Sequence, residues 1–290
     1  MTEPTTPQPG TRALVLGGGG VAGIAWEVGV LSALQDAGVD LDAADLVVGT
    51  SAGSVVGAFV RAGEVEHAYE QQHAPLPSTY VEPDRVGGED FQQRVAQVLA
   101  GATSEQDARA RLGVVAQQVV TGQTDDERVA TFAETLPSAE WPEKPLALTT
   151  IDAQDGTFRV LTAASGVPLT RAVAASCSVP FVWSPVRIDG VPHYDGGLRS
   201  ATNADVAAGY ERVLVVACGP EGPSPLGPWL DLAVESLRAG GSSVETIVAD
   251  SGAQHAFGEN SLSLSTQAPS ATEGRRQGEA VAEAIAAFWA

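Results

Sequence analysis

Lysine is almost missing from this chain of 290 residues: Lys144 is the single one, and Lys and Arg together number 16 against 36 Asp and Glu, a formal charge of -20. A field of that sign repels phosphate backbones and offers no general attraction to anionic lipid, so nucleic acid is excluded as a partner and membrane contact is at most transient and superficial. Beside so much Ala and Gly, the shortage of lysine reads first as a GC-rich coding bias. Cysteine is scarce too. Cys177 and Cys218 stand in apolar stretches and read as buried thiols, not as a disulfide. No uncharged apolar run reaches the roughly 18 residues a membrane helix needs. The opening MTEPTTPQPGTR lacks an apolar core, so residues 1–11 are expected to form a disordered, Pro-rich tail and not a signal peptide, with a cytoplasmic location by default. No His, Cys, Asp and Glu cluster has metal-ligand spacing, and neither a metal nor an organic cofactor is expected.

What the chain does have is a core: 44% of its residues are hydrophobic. Short apolar runs at 13–16, 46–48, 146–151, 158–162 and 212–218 predict buried strands, several of them separated by helix-period segments, which is the pattern of a mainly parallel α/β sheet. A helix is expected after residue 20, with Ile24, Val28, Leu31 and Leu34 on one face and a stop at Gly38. Residues 75–143 differ, being polar and Pro-punctuated, with helices expected near 89–100, 105–121 and 125–135. They could form a cap over a cleft or an ordinary solvated insertion. Asp189-Gly190 predicts a hairpin turn, and the last twenty or so residues a closing helix with Val281, Ile285 and Phe288 inward. No repeat or linker divides residues 12–290, which are expected to be a single domain.

Within this frame LVVGTSAGS, residues 46–54, places Ser51 between Gly49 and Gly53 at the point where a strand must turn into a helix. Either Ser51 is a helix N-cap, or GxSxG is a nucleophile elbow that lifts the hydroxyl into a cleft. With 32 glycines present, a chance match is common, so context has to decide. Gly53 and Gly57 let the following helix approach the sheet closely.

A second glycine cluster, LVLGGGGVAG at 14–23, also joins a strand to a helix. Acyl transfer needs amides to meet the charge on the former carbonyl oxygen, and such a loop can supply them. Gly18, Gly20 and Gly23 also satisfy GxGxxG, but a dinucleotide site demands an acidic residue at the end of the second strand, where this chain has Gly49, Thr50 and Ser51. A base for Ser51 could be His67, His73, His193, His255 or a carboxylate; Asp195, ahead of Gly196 and Gly197 in HYDGG, could face a cleft while partly desolvated.

The glycine loop, the GTSAGS elbow, AASCSVP at 174–180 and DGG at 195–197 together resemble, in order and spacing, the patatin-like phospholipases. The resemblance implies a three-layer α/β fold with a helical insertion and a Ser51–Asp195 dyad without histidine. It also implies an oxyanion hole from the amides of Gly18, Gly19 and Gly20, and a lipid or other acyl ester as substrate. One position departs from the family pattern GGGxRG: Ala22 stands where arginine is usual. From this and the net charge, substrate is expected to reach Ser51 through apolar contact and not through charge. Phe181 and Trp183 are assigned to the core, with cleft lining as the alternative. Two rivals remain: an α/β-hydrolase with a Ser51, Asp195, His255 triad, and a non-catalytic lipid-binding module of the same fold.

Overall fold

The computed structural model describes residues 6–76 and 88–290. Its centre is an eight-stranded sheet. β1 (Gln8–Leu16) leads through the glycine loop into α1 (Gly20–Asp36), and β2 (Leu46–Gly49) leads through Ser51 into α2 (Ala52–Ala62), followed by α3 (Val65–Gln71). The insertion carries α4 (Gly88–Leu99), α5 (Glu105–Ala116) and α6 (Asp125–Thr135). The chain then returns to the sheet as β3 (Leu146–Asp152) and β4 (Phe158–Leu161), passes through α7 (Leu169–Ser176), and forms the hairpin β5 (Val186–Ile188) and β6 (Val191–Asp195). It ends with β7 (Tyr210–Ala217), α8 (Leu230–Ala239), β8 (Ser243–Val248), α9 (Ser251–Phe257) and α10 (Gln267–Trp289). No helix among the described residues is long and apolar enough to cross a membrane.

The strands lie in the order β5-β6-β3-β2-β1-β7-β8, with β4 also paired to β3. β1, β2, β3, β7 and β8 run parallel, and β4, β5 and β6 are antiparallel additions at one side. Side chains alternate between faces. Leu14, Leu16, Val47, Leu148, Leu214 and Val216 pack under α1, α2, α7, α9 and α10, while Ala13, Val15, Val48, Val213 and Val215 pack against α8 and the turn at 204–207. The result is the expected three-layer α/β arrangement. From β1 the chain moves to β2 on one side and later returns as β7 on the other, so β1 is a topological switch point. A crevice for ligand opens at the carboxyl ends of strands at such a point, and here those ends are the glycine loop and Ser51.

Three expectations need correcting. Of the tail at 1–11, residues 1–5 lie outside the described residues, but β1 begins at Gln8, before its apolar run. Hydrogen bonds of the backbone amides hold the chain ahead of that run: the Gln8 amide donates to Gly209 O (3.0 Å) and the Arg12 amide to the side-chain Oδ2 of Asp45 (2.7 Å). Next, α1 is not amphipathic. It is buried on every side from Ala25 to Leu34, because α10 covers the face turned away from the sheet, and Ile24 is only half-buried. The insertion, finally, is neither all cap nor all solvated. Residues 77–87 fall outside the described residues; α5 buries Ala108, Leu112 and Ala116 against Ile151 and Tyr194, while α4 and α6 border the crevice. The turn at Asp189-Gly190 has positive φ at both residues, +51° and +81°, as a tight hairpin requires.

Candidate active site

Ser51 sits at the carboxyl end of β2 with φ 54° and ψ -115°, a conformation that L side chains rarely adopt. Its hydroxyl makes no capping bond to α2, so the N-cap reading fails. The strain, of order 1–3 kcal/mol for such an outlier, persists because the turn is over-determined. Gly53 lies so close to β1 that a Cβ there would stand 2.2 Å from Leu16 O, and one on Gly49 would meet Gly53 O at 2.5 Å. The AASCSVP segment clamps the same turn from the other side. Ser176 Oγ accepts the Ser51 amide (3.0 Å) and bonds Ser54 Oγ (2.7 Å), and Cys177 Sγ donates to Ser51 O (3.3 Å). Burial pushes the Cys177 thiol up to about 12, so it stays a protonated donor and does not compete as a nucleophile. Both cysteines are free thiols, but as residues they are half-buried and not fully buried as the apolar stretches around them suggested.

Asp195 ends β6 and is 1% exposed. Its main chain is fixed by its amide on Ser178 O (3.0 Å), and its Oδ1 accepts from the Gly197 amide (2.7 Å). Desolvation pushes its carboxyl up to about 7, against the smaller opposing influences of the Ser51 hydroxyl, the Gly197 amide and the charge of Arg128. The hydroxyl is thus close enough to favour the ionised carboxylate, yet no hydrogen bond of good geometry joins the two side chains among the described residues; such contacts are often loose before substrate binds. Behind them lies a polar network that sequence reasoning missed. Asn203 Nδ2 reaches Thr50 Oγ1 (3.1 Å), Thr149 Oγ1 (3.3 Å), Gly196 O (3.1 Å) and Ser200 O (2.8 Å), tying the elbow to the turn that bears Asp195.

The glycine loop faces Ser51 but is not the donor set expected. The Gly18 amide is already committed to Ala201 O (2.8 Å), so it is not free to meet an oxyanion. Among the described residues the amides of Gly19, Gly20 and Ala52 carry no partner, and Gly20 turns the loop into α1 with φ +66°. Beneath the loop the Gly17 amide donates to Glu27 Oε1 (2.8 Å) from α1; complete burial raises that carboxyl well above the ordinary range.

These groups open into one cavity of about 540 Å³, lined by Gly18, Gly19, Gly20, Ser51 and Asp195 together with Val21, Ile24, Val55, Phe132, Trp183 and Leu262 among others. Its size and apolar walls suit a hydrocarbon chain. Trp183 therefore belongs to the cavity and not to the core, while Phe181 packs on Phe91 and the α5 cluster. None of the four histidines lines it. His255 is exposed on α9, His193 is buried with Nδ1 on Val191 O (2.9 Å), and His67 bonds Gln71. The triad rival has no histidine in place. Arg128 of α6 also lines the cavity, a cation that sequence reasoning did not place there. Among the described residues no group of three or more His, Cys, Asp or Glu could hold a metal ion.

A sequence model of the family described as Patatin-like phospholipase matches residues 14–208, more than half of the chain. No curated protein matches it. Among solved structures, ExoU of Pseudomonas aeruginosa in complex with SpcU aligns with 93% of this chain at 17% identity and a TM-score of 0.40. VipD of Legionella pneumophila aligns with 96% at 14% identity and a TM-score of 0.45. The chain spans 52% of that ExoU chain and 68% of VipD. These are loose likenesses, and no feature of the site depends on them.

Proposed function

Because the chain belongs to the patatin-like phospholipase family, we propose that it is a serine acyl hydrolase of the lipid esterase type, working through a Ser51–Asp195 dyad. Ser51 Oγ attacks the ester carbonyl as its proton passes to Asp195. The negative charge that develops on the carbonyl oxygen is met by the amides of Gly19 and Gly20, with Ala52 beside them at the start of α2. The alcohol leaves with the proton from Asp195, and Ser51 is left acylated. Water then enters, gives a proton to Asp195 and attacks the acyl-enzyme; as the acid is released, Asp195 returns that proton to Ser51 Oγ and the serine hydroxyl is restored.

The observation that carries this reading is the pairing of a strained serine, whose hydroxyl caps nothing, with a buried carboxyl held at about 7 in the same apolar cavity. A base with a pKa near neutrality is half ionised there and still strong enough to take a proton. Labelling with a fluorophosphonate is the direct test. It should modify the wild type at Ser51, fail with Ser51→Ala, and slow severely with Asp195→Asn. A folded wild type that takes no label and cleaves no acyl ester is a binding module instead.

A further inference from the structure

Among the described residues the cavity holds one cation that its surroundings do not account for. Arg128 is 8% exposed, in a lining otherwise made of apolar side chains, glycine backbone, small polar groups and Asp195. Part of its guanidinium is satisfied: Nη2 donates to Cys177 O (2.9 Å), and the group lies over Trp183, 4.0 Å from the ring centroid, with Phe132 at 5.5 Å. The remainder is not. Nε is buried without a hydrogen-bond partner, and among the described residues no carboxylate forms an ion pair with Arg128.

Removing a cation from water without a counter-charge is costly, and an apolar residue in the same space is usually the more stable choice. Arginine does not escape the cost by losing its proton. Asp195 balances it only in part: the two charges favour each other, but Arg128 is the last and smallest of the influences on that carboxyl, which burial keeps largely protonated below neutrality. On a chain with a net charge of -20 the cation cannot serve long-range attraction. It can act only on a group that has already entered the cavity, and its planar fork matches the oxygens of a phosphate or carboxylate.

We infer that Arg128 is a specificity-determining residue, a subsite inside the cavity for an anionic oxygen group belonging to the molecule whose acyl chain lies along the apolar wall. The inference rests on the acyl-hydrolase reading. The anion has two possible sources, a phosphate on the alcohol side of the ester or the carboxylate of the released acid.

The test compares two esters with the same acyl chain, 1-octanoylglycerol and 1-octanoylglycerol 3-phosphate, in wild type, Arg128→Met and Arg128→Lys. If the anion is the phosphate, the ratio of kcat/KM for the phosphorylated over the neutral ester falls about 10- to 100-fold in Arg128→Met, the range for losing a charge-assisted hydrogen bond. The loss is chiefly in KM, and Arg128→Lys recovers part of it. Inhibition of neutral-ester cleavage by decyl phosphate and by decanoate separates the sources: whichever inhibitor weakens about 10- to 100-fold in Arg128→Met identifies its anion. Either result supports the subsite. An unchanged ester ratio together with unchanged inhibition by both compounds, in a variant that melts cooperatively, overturns it; should Arg128→Met fail to fold, Arg128→Lys decides on the same readings. A wild type that cleaves neither ester and takes no fluorophosphonate overturns the hydrolase reading instead, and calorimetric binding of decyl phosphate then still reports on Arg128.

Discussion

Asp195→Asn should make the protein more stable and nearly inactive at once, with both effects arising from one buried carboxyl. Burial holds Asp195 at about 7 in the folded protein, against 3.8 for the free group. Below 3.8 the carboxyl is protonated in folded and unfolded chains alike and costs nothing. Between 3.8 and about 7 the unfolded chain gives up its proton while the folded chain keeps it, so folding is increasingly disfavoured as pH rises. Above about 7 the full cost remains: a gap of about three in pKa, at about 1.4 kcal/mol apiece, comes to about 4 kcal/mol. Asparagine is neutral throughout and can still accept from the Gly197 amide. Asp195→Asn is therefore expected to gain up to about 4 kcal/mol at pH 8 and only about 1.5 kcal/mol at pH 5, where little of the cost has accrued. The assay is thermal melting at pH 5 and 8, clear of the isoelectric point near 4.4, beside ester hydrolysis. Turnover should fall by several orders of magnitude, since an amide cannot take the serine proton. In the wild type kcat/KM should climb about tenfold per pH unit toward 7 and then level. A variant that melts with the wild type at pH 8, or that gains equally at both pH values, refutes the argument.

Gly19→Ala should lower kcat about 100- to 1000-fold, because the new Cβ would stand 2.5 Å from Cys218 Sγ and 2.7 Å from Gly23 Cα and the loop must shift; unchanged kcat in a folded variant places the oxyanion donors elsewhere. Ser51→Gly should abolish labelling while raising stability by about 1 kcal/mol, since glycine accepts positive φ, and a drop in melting temperature contradicts a strained elbow. His255→Ala should retain wild-type hydrolysis, as the side chain is exposed and away from the cavity; a loss as deep as that of Ser51→Ala restores the triad. Across p-nitrophenyl esters from acetate to octanoate, kcat/KM should rise steeply, each methylene contributing about 0.8 kcal/mol at most. A preference for acetate shows that the acyl chain does not occupy the apolar walls.

The parts of the site legible in the sequence are those made by local chemistry. A serine between two glycines, a glycine run after a strand and an aspartate before two glycines each describe a turn, and turns are specified by a few adjacent residues. Arg128 was hidden because nothing local separates it from the solvated charges of the acidic helix around it. Only the docking of α6 against Trp183 and Cys177 makes it a buried cation. Asn203 likewise acquires its role from Thr50 and Thr149, which are distant in sequence. Gly18 lost its expected role for the same reason: Ala201 O, far along the chain, takes its amide. In the fold, the central helix α1 showed its apolar residues but not their burial on all sides, because its cover, α10, is rich in small residues and carries little hydrophobic signal.

The contact between α1 and α10 sets the order in which this protein can become itself. A Cβ on Gly29 would stand 2.3 Å from Ala271 O, one on Gly274 2.1 Å from Trp26 O, and one on Gly278 2.7 Å from Val30 O, so the two backbones touch along several turns. α1 begins at the glycine loop, which means that the first piece of the site to be synthesised is seated by residues 267–289. Elbow and loop can be translated early, but until those later residues arrive the apolar outer face of α1 has nothing to lie against. A site built this way stays unassembled until residues 267–289 have been made, and the long sequence separation of the closing contact makes that step slow and exposed to aggregation.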